Sequence, residues 1–369
     1  MSFRLPTRVV IEPGVLRDLV PYFDRFPAEK ALLVFDPGLA RSPWPKLVHK
    51  QLNDAGIAVI EFDAVEANPR VEAVDHLADI ARTADVELIV GLGGGSVLDT
   101  AKAASMLINN KGSCAKYEGK NLFPKPSAPF IAIPTTCGTG SEVTWVSVLS
   151  DPASRRKLSV KGDGMFPALA LVDADVLESL PTELIAQTGL DALTHSVEAI
   201  ICSRANAISD ILAREAVDLL LANLSDLVSD PTHSSARASV MRASTLAGMA
   251  FGNADVAAVH CLSESIGGLL DLGHGLLNAV LLTPVLAYQL DDISDQLDSV
   301  SEDYSAGELL SRIEQLTTDL GIPSFSSLNI SEEMFPEIAS MAETNGSNSS
   351  NRREMLADDY LAILRGLEA

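Results

Sequence analysis

GLDALTHSVEA (Gly189 to Ala199) sets Asp191 and His195 four residues apart, and VHCLSESIGGLLDLGHG (Val259 to Gly275) sets His260 and His274 fourteen apart. On a helix, a spacing of four places two side chains on one face, so Asp191 and His195 can reach a single ion. His260 falls on another helical stretch, and His274 opens the run HGLLNAVLL. One carboxylate and three imidazoles suit Fe(II) or Zn(II), which share nitrogen and oxygen ligands, whereas magnesium and calcium want more oxygens. A single histidine is more often a capped or core residue than a ligand. Three of the six histidines, set with an aspartate in such motifs, make a shared ion the better reading.

Glu264 stands one turn beyond His260 and points along the same helix face. Three readings of it stay open. It is a proton relay, since a carboxyl does general acid–base work when its pKa suits; or a fifth or substitute ligand; or a hydrogen-bonded structural acid with no part in turnover.

A second group of residues suits a nucleotide. GLGGGSVLDTAKA follows a strand-like run and leads into a helix-like one, so backbone N–H groups at a helix N-terminus can receive a phosphate. The loop departs from the usual dinucleotide fingerprint, because Ser96 stands where GxGxxG wants its last glycine. PTTCGTGSEVT (Pro134 to Thr144) also comes off a strand, and its hydroxyls and glycines suit pyrophosphate or ribose. Two such loops at successive strand ends would line one crevice at the carboxyl edge of a sheet. Asp36, closing KALLVFD, either accepts hydrogen bonds from a ribose and repels a 2′-phosphate, favouring NAD over NADP, or is a plain turn residue before Pro37-Gly38.

These residues need elements to hold them. KALLVFD, VELIVGLGGGS and APFIAIPTTCGTGS are short continuous apolar runs separated by helix-prone stretches, the pattern of buried parallel strands in a doubly wound α/β sheet. From Thr182 onward apolar residues recur at i, i+3, i+4 and i+7, as in SDILAREAVDLLLANLSDLV, and no comparable strand run appears. The expected organisation is an α/β NAD-binding domain over 1–179 and an all-helical metal-binding domain over 180–369. NGSNSSN (Asn345 to Asn351) reads as a loop before a last helix.

Composition narrows the function. A formal charge of -23 would repel both a phosphate backbone and an anionic membrane face, and the apolar runs are too short or broken to span a bilayer. Nucleic acid and membrane are therefore not expected as partners. Four widely spaced cysteines without a CxxC pair, and an N-terminus without an apolar core, fit a reducing cytoplasm.

GGGSVLDTAK, PTTCGTGSEVT, GLDALTHSVEA and the H-x13-H pair resemble the iron-containing (group III) alcohol dehydrogenases, and the resemblance runs nearly the whole chain from FRLPTRVVIEPG to the last helices. It implies reversible oxidation of a small alcohol to an aldehyde or ketone with NAD and a divalent metal, Fe(II) before Zn(II). On this resemblance Asp191, His195, His260 and His274 fall on the family's four ligand positions, and Asp36 on the residue that disfavours NADP. Gly94, Gly95, Ser96, Asp99, Thr135, Thr136 and Lys157 fall on its cofactor contacts, and Phe251 on a position near the substrate. Glu264 replaces the second histidine that the family commonly carries beside substrate and nicotinamide. Members are usually dimers or larger, and TRVVIEP could pair as an edge strand across a two-fold axis. The rival readings are a glycerol-dehydrogenase-like or dehydroquinate-synthase-like enzyme on the same scaffold and a catalytically idle NAD- or metal-binding relative. A dehydroquinate-synthase-like enzyme would need basic residues near the metal motifs, and few are there.

Overall fold

A computed structural model describes residues 2–301 and 303–368. It divides into two units, one spanning Leu5–Leu180 and the other beginning at Pro181 and also taking in the N-terminal residues through Arg4.

The first unit is built on nine strands, β1 (Arg8–Ile11), β2 (Lys30–Val34), β3 (Ala58–Phe62), β4 (Leu88–Gly93), β5 (Gly119–Lys120), β6 (Phe130–Pro134), β7 (Val146–Asp151), β8 (Arg156–Lys161) and β9 (Leu169–Val172). Six of them form a parallel sheet in the order β1-β9-β6-β4-β2-β3. The central strands β4, β6 and β9 are buried along their whole length, which is why their sequences are apolar without alternation. The edge strands β1 and β3 keep exposed positions.

Short α1 (Val20–Phe23) precedes β2, α2 (Trp44–Asp54) leads β2 to β3, α3 (Val71–Thr83) leads β3 to β4, and α4 (Gly95–Asn109) follows β4. Parallel pairing requires such crossovers. Val71, Val74, Leu77, Ala78 and Ala81 form the buried stripe of α3 and join Ile89, Leu98, Ala101 and Phe130 in one core cluster. From β2 the chain passes to β3 on one side, whereas from β4 it passes to β6 on the other. Neighbours β2 and β4 therefore mark the switch point, outside whose carboxyl ends open α/β sheets bind ligands.

A second sheet, β5-β8-β7, contains an antiparallel pairing of β7 with β8 that the sequence reading did not anticipate. The turn between them is shaped by Asp151, whose carboxylate accepts from Ala153 N–H and Ser154 O–H.

The second unit is helical: α5 (Thr182–Ile201), α6 (Ala207–Ser229), α7 (Ser234–Phe251), α8 (Ala258–Leu270), α9 (His274–Tyr288), α10 (Leu290–Asp298), α11 (Ala306–Asp319), α12 (Phe335–Thr344) and α13 (Ala357–Glu368). Asn206 with Ser209, and Ser305 with Glu308, close reciprocal capping boxes at the starts of α6 and α11. Every residue of α5 from Gly189 to Ile201 is buried, so this helix is enclosed on all sides. Among the described residues no single helix is long and apolar enough to cross a membrane.

Candidate metal centre and nucleotide loops

An enclosed helix has few ways to satisfy polar side chains. In α5, Thr194 and Ser196 donate their hydroxyls to the carbonyls of Leu190 and Ala192, four residues back. Asp191, His195 and Glu198 instead direct theirs outward on one helix face, at i, i+4 and i+7.

The left-handed Asp271 (φ 57°) ends α8 and turns the chain towards α9. Gly275 lets the start of α9 approach α5, since a Cβ there would stand 3.0 Å from the Gln187 carbonyl oxygen. Asp191, His195, His260 and His274 thereby meet, with one donor atom from each lying within 4.8 Å of the others. His195 Nδ1 and His274 Nε2 are 3.8 and 3.7 Å from Asp191 Oδ1. The first three residues are buried, and the His274 side chain is one-third exposed (33%), so the cluster opens on the His274 side.

The donor set fits a divalent cation. His195 Nδ1 is buried without a hydrogen-bond partner among the described residues, as is Asn278 Oδ1. Asn278 Nδ2 stands among three acceptors, 2.6 Å from Asp191 Oδ1, 3.1 Å from His260 Nε2 and 3.2 Å from His274 Nε2. Its two hydrogens cannot serve all three, and a buried nitrogen with no partner is uncommon. Burial pushes His195 down to about 3 and His260 down to about 4, so both rings are neutral and present a lone pair, as a ligand must. Burial also works against the Asp191 carboxylate, yet the surrounding imidazoles and the Asn278 N–H outweigh it and hold the carboxyl below its ordinary range.

Glu198 was not singled out from the sequence. It is fully buried and accepts from Ala257 N at 2.9 Å, Val259 N at 2.7 Å and His260 Nδ1 at 2.5 Å. Burial pushes its carboxyl up to about 7 against the pull of those backbone N–H groups. Its spacing from Asp191 was the available signal. Glu264 lies outside the four-residue cluster, and its Oε2 accepts from Asn345 Nδ2, at the end of α12, at 2.7 Å. Phe251 stacks on His195 with ring centroids 4.2 Å apart and planes at 15°. Cys261, next to His260, is buried and hydrogen-bonds with Tyr360 of α13.

The nucleotide loops belong to the first unit. β4 and β6 are neighbours, so their carboxyl ends bring Gly94–Ser96 beside Thr135–Thr139. A Cβ on Gly94 would lie 2.9 Å from Thr136 Cγ2, and one on Gly95 2.5 Å from Thr139 Cγ2, so glycine is what lets the two loops touch. Thr135 N donates to the Gly93 carbonyl at 3.0 Å. Ser96 lies in the first turn of α4, where N–H groups are free of helical partners.

Asp36 follows β2, and its Oδ1 accepts from Leu39 N at 3.0 Å, so the turn role is real and shares the residue with any ribose contact. Asp99 accepts from Ser141 Oγ–H at 2.6 Å and Val148 N–H at 2.8 Å, tying α4 to the second loop and to β7. Lys157 is set apart on β8, donating to Asn68 and Ser150 at 2.9 Å each. Lys102, unremarked in the sequence, is fully buried and donates to Ser141 Oγ (2.8 Å), Thr144 Oγ1 (3.3 Å) and the Val146 carbonyl (2.7 Å).

Two family models match the chain: iron-containing alcohol dehydrogenase over residues 6–174, and the C-terminal region of the Fe-containing alcohol dehydrogenase family over 185–367. Alcohol dehydrogenase 4 of Saccharomyces cerevisiae is 32% identical over 374 residues, covering 99% of this chain and 97% of its own. The NAD-dependent methanol dehydrogenase of Bacillus methanolicus is 30% identical, with 99% of each covered. A crystal structure of 1,3-propanediol oxidoreductase superposes with a TM-score of 0.95 at 32% identity and 99% coverage of both chains. The chain belongs to the iron-containing alcohol dehydrogenase family and is a metal-dependent oxidoreductase that exchanges hydride between NAD(H) and a small alcohol or aldehyde.

Proposed function

We propose that Asp191, His195, His260 and His274 hold the metal, that the metal is Fe(II) with Zn(II) as the alternative, and that Gly94, Gly95, Ser96, Thr135 and Thr136 hold the NAD phosphates. The convergence of four donor atoms within 4.8 Å, with no other partner for His195 Nδ1 among the described residues, carries the reading. A divalent ion there supplies Lewis acidity that lowers the pKa of an alcohol hydroxyl, and NAD supplies the hydride acceptor.

The chain's own residues do the rest. Phe251 covers the flat face of His195 and fixes its ring plane. The open side at His274 admits the substrate. Glu264, one turn beyond His260 and anchored through Oε2 to Asn345, keeps a second carboxyl oxygen with which to take the alcohol proton. Its place outside the donor cluster weighs against a fifth ligand. Asp99 and Lys157 act on the cofactor by fixing the loops around it, and Asp36 favours NAD over NADP. The strand β1 lies at the sheet edge with Ile11 exposed, which supports pairing of copies into a dimer or larger assembly. Four free, buried thiols support a cytoplasmic setting.

The test is NADH and NADPH oxidation against short aldehydes by protein loaded anaerobically with Fe(II) or Zn(II), with and without chelator. The reading expects chelator-sensitive turnover, faster with NADH, that is lost in His274→Ala while NADH still binds. Full turnover of His274→Ala after chelation would refute the ligand assignment.

A further inference from the structure

We propose that Glu198 is the positioning residue of the metal centre, acting through His260: it fixes the ring so that Nδ1 carries the proton and Nε2 faces the other donors. The inference rests on the metal reading above.

The start of α8 is the weak point of the arrangement. Its N-cap is Ala257, which has no side chain able to receive the helix's free N–H groups. Glu198 reaches across from α5 and does so instead, Oε2 accepting from Ala257 N and Oε1 from Val259 N. A carboxylate at a helix N-terminus is also favoured by the helix dipole. Oε2 then takes a further N–H, that of His260 Nδ1 at 2.5 Å. Both carboxyl oxygens are already engaged by backbone N–H donors, which leaves Glu198 to accept from the ring, so the proton of the neutral imidazole belongs on Nδ1. Nε2 is left with its lone pair, 3.1 Å from the amide nitrogen that also touches Asp191 and His274.

One side chain thus sets three things: where α8 begins, how the His260 ring is turned, and which nitrogen is free to bind. Because Asp191 and His195 lie on the same face of the same helix as Glu198, α5 holds two donors directly and a third through its far nitrogen. Histidine ligands that donate their second N–H to a carboxylate are held in one tautomer and made more basic, and losing that partner costs about 10- to 100-fold in metal affinity.

Glu198→Gln keeps size and shape but replaces one acceptor oxygen with a donor. The amide nitrogen must then face a backbone N–H or His260 Nδ1, and relief comes when His260 shifts its proton to Nε2, the nitrogen meant for the metal. The experiment compares wild type, Glu198→Gln and Glu198→Asp. Co(II) affinity is read by chelator competition, the geometry of the bound ion by the visible absorption of Co(II), and the fold by circular dichroism and melting of the metal-free proteins. The expected result for Glu198→Gln is a metal-free fold close to wild type, Co(II) affinity lower by about 10- to 100-fold, and an altered Co(II) spectrum. Glu198→Asp keeps the carboxylate at shorter reach and is expected to fall between the two.

Wild-type uptake of one Co(II) per chain with unchanged affinity and spectrum in Glu198→Gln overturns this inference alone, leaving Glu198 as a helix cap. If Glu198→Gln does not fold, Glu198→Asp decides by the same criterion: weaker Co(II) binding on an intact fold supports the inference, and unchanged binding overturns it. A wild-type chain that takes up no stoichiometric Co(II) overturns the metal reading first and this inference with it.

Discussion

Lys102→Met removes a cation from the interior of the unit that carries the nucleotide loops. The ammonium is fully buried, and burial pushes it down from 10.5 to about 8, with Asp99 and Glu142 opposing. Each unit of depression is worth about 1.4 kcal/mol, so at neutral pH the buried charge costs the folded unit about 3 kcal/mol relative to a neutral amine. Methionine fills most of the same volume but leaves the Val146 carbonyl and the Thr144 hydroxyl without their donor, at about 1–3 kcal/mol for each group left unsatisfied. At pH 7 the two effects largely offset, and a single stability measurement there is uninformative.

The pH dependence separates them. The folded value lies below the unfolded one, so below about pH 8 both states hold the proton and the full cost is present. Between about 8 and 10.5 the folded state releases it while the unfolded state keeps it, and stability rises with pH by linkage. Other groups titrate in this range, but they do so in both proteins and cancel in the difference. Urea unfolding followed by tryptophan fluorescence suits the measurement, because Trp44 and Trp145 are the chain's two tryptophans and both lie in the same unit as Lys102. Wild type should gain about 3 kcal/mol on Lys102→Met between pH 7.5 and 10.5. A difference that stays flat within about 1 kcal/mol would mean that folding leaves Lys102 as free to hold its proton as it is in the unfolded chain, and the account of the loop anchor would fail.

Gly95→Ala should drive a Cβ to 2.5 Å from Thr139 Cγ2 and force the two loops apart. NADH affinity should fall by about tenfold, or roughly 1.4 kcal/mol, with Co(II) uptake unchanged; NADH titration at wild-type affinity would show that loop contact is not what shapes that site. Metal binding should also stabilise the fold, because the unfolded chain lacks the cluster. At a free concentration 100 times Kd the expected gain is about 2.7 kcal/mol, read as a higher melting temperature for protein reloaded with Zn(II) than for chelated protein, and coincident melting curves would count against the cluster as a metal site.

The parts that could be read from sequence are those in which local pattern and final environment agree. β2, β4 and β6 are continuous apolar runs because they are buried, and the glycine and threonine loops follow them because successive strands became neighbours. The parts that could not be read depend on distant partners. Lys102 looks like any helical lysine until Ser141, Thr144 and Val146 close over it. Glu264 gave no hint of Asn345, 81 residues away. β7 and β8 mix buried and half-buried positions in short polar sequences, so they lack the continuous signal of the larger sheet. Asp36 shows a different limit: two uses of one carboxylate, turn and ribose, are compatible, and sequence alone posed them as rivals.

The metal centre is best understood as a deficit that the chain leaves in one place. A buried charge or imidazole is costly unless it is paired or hydrogen-bonded. For Glu198 the chain supplies three donors, so its need is met internally. Among the described residues it supplies Asp191 with one amide, His195 Nδ1 with none, and the facing nitrogens of His260 and His274 with only a share in the same amide. The unmet acceptors of these four residues therefore point at one small region, next to the His274 ring, which is partly exposed. A proton could satisfy one of these groups but would charge a buried imidazole, which burial of His195 and His260 opposes. A divalent cation satisfies all four at once and needs the rings neutral, which is the state in which the fold already holds His195 and His260.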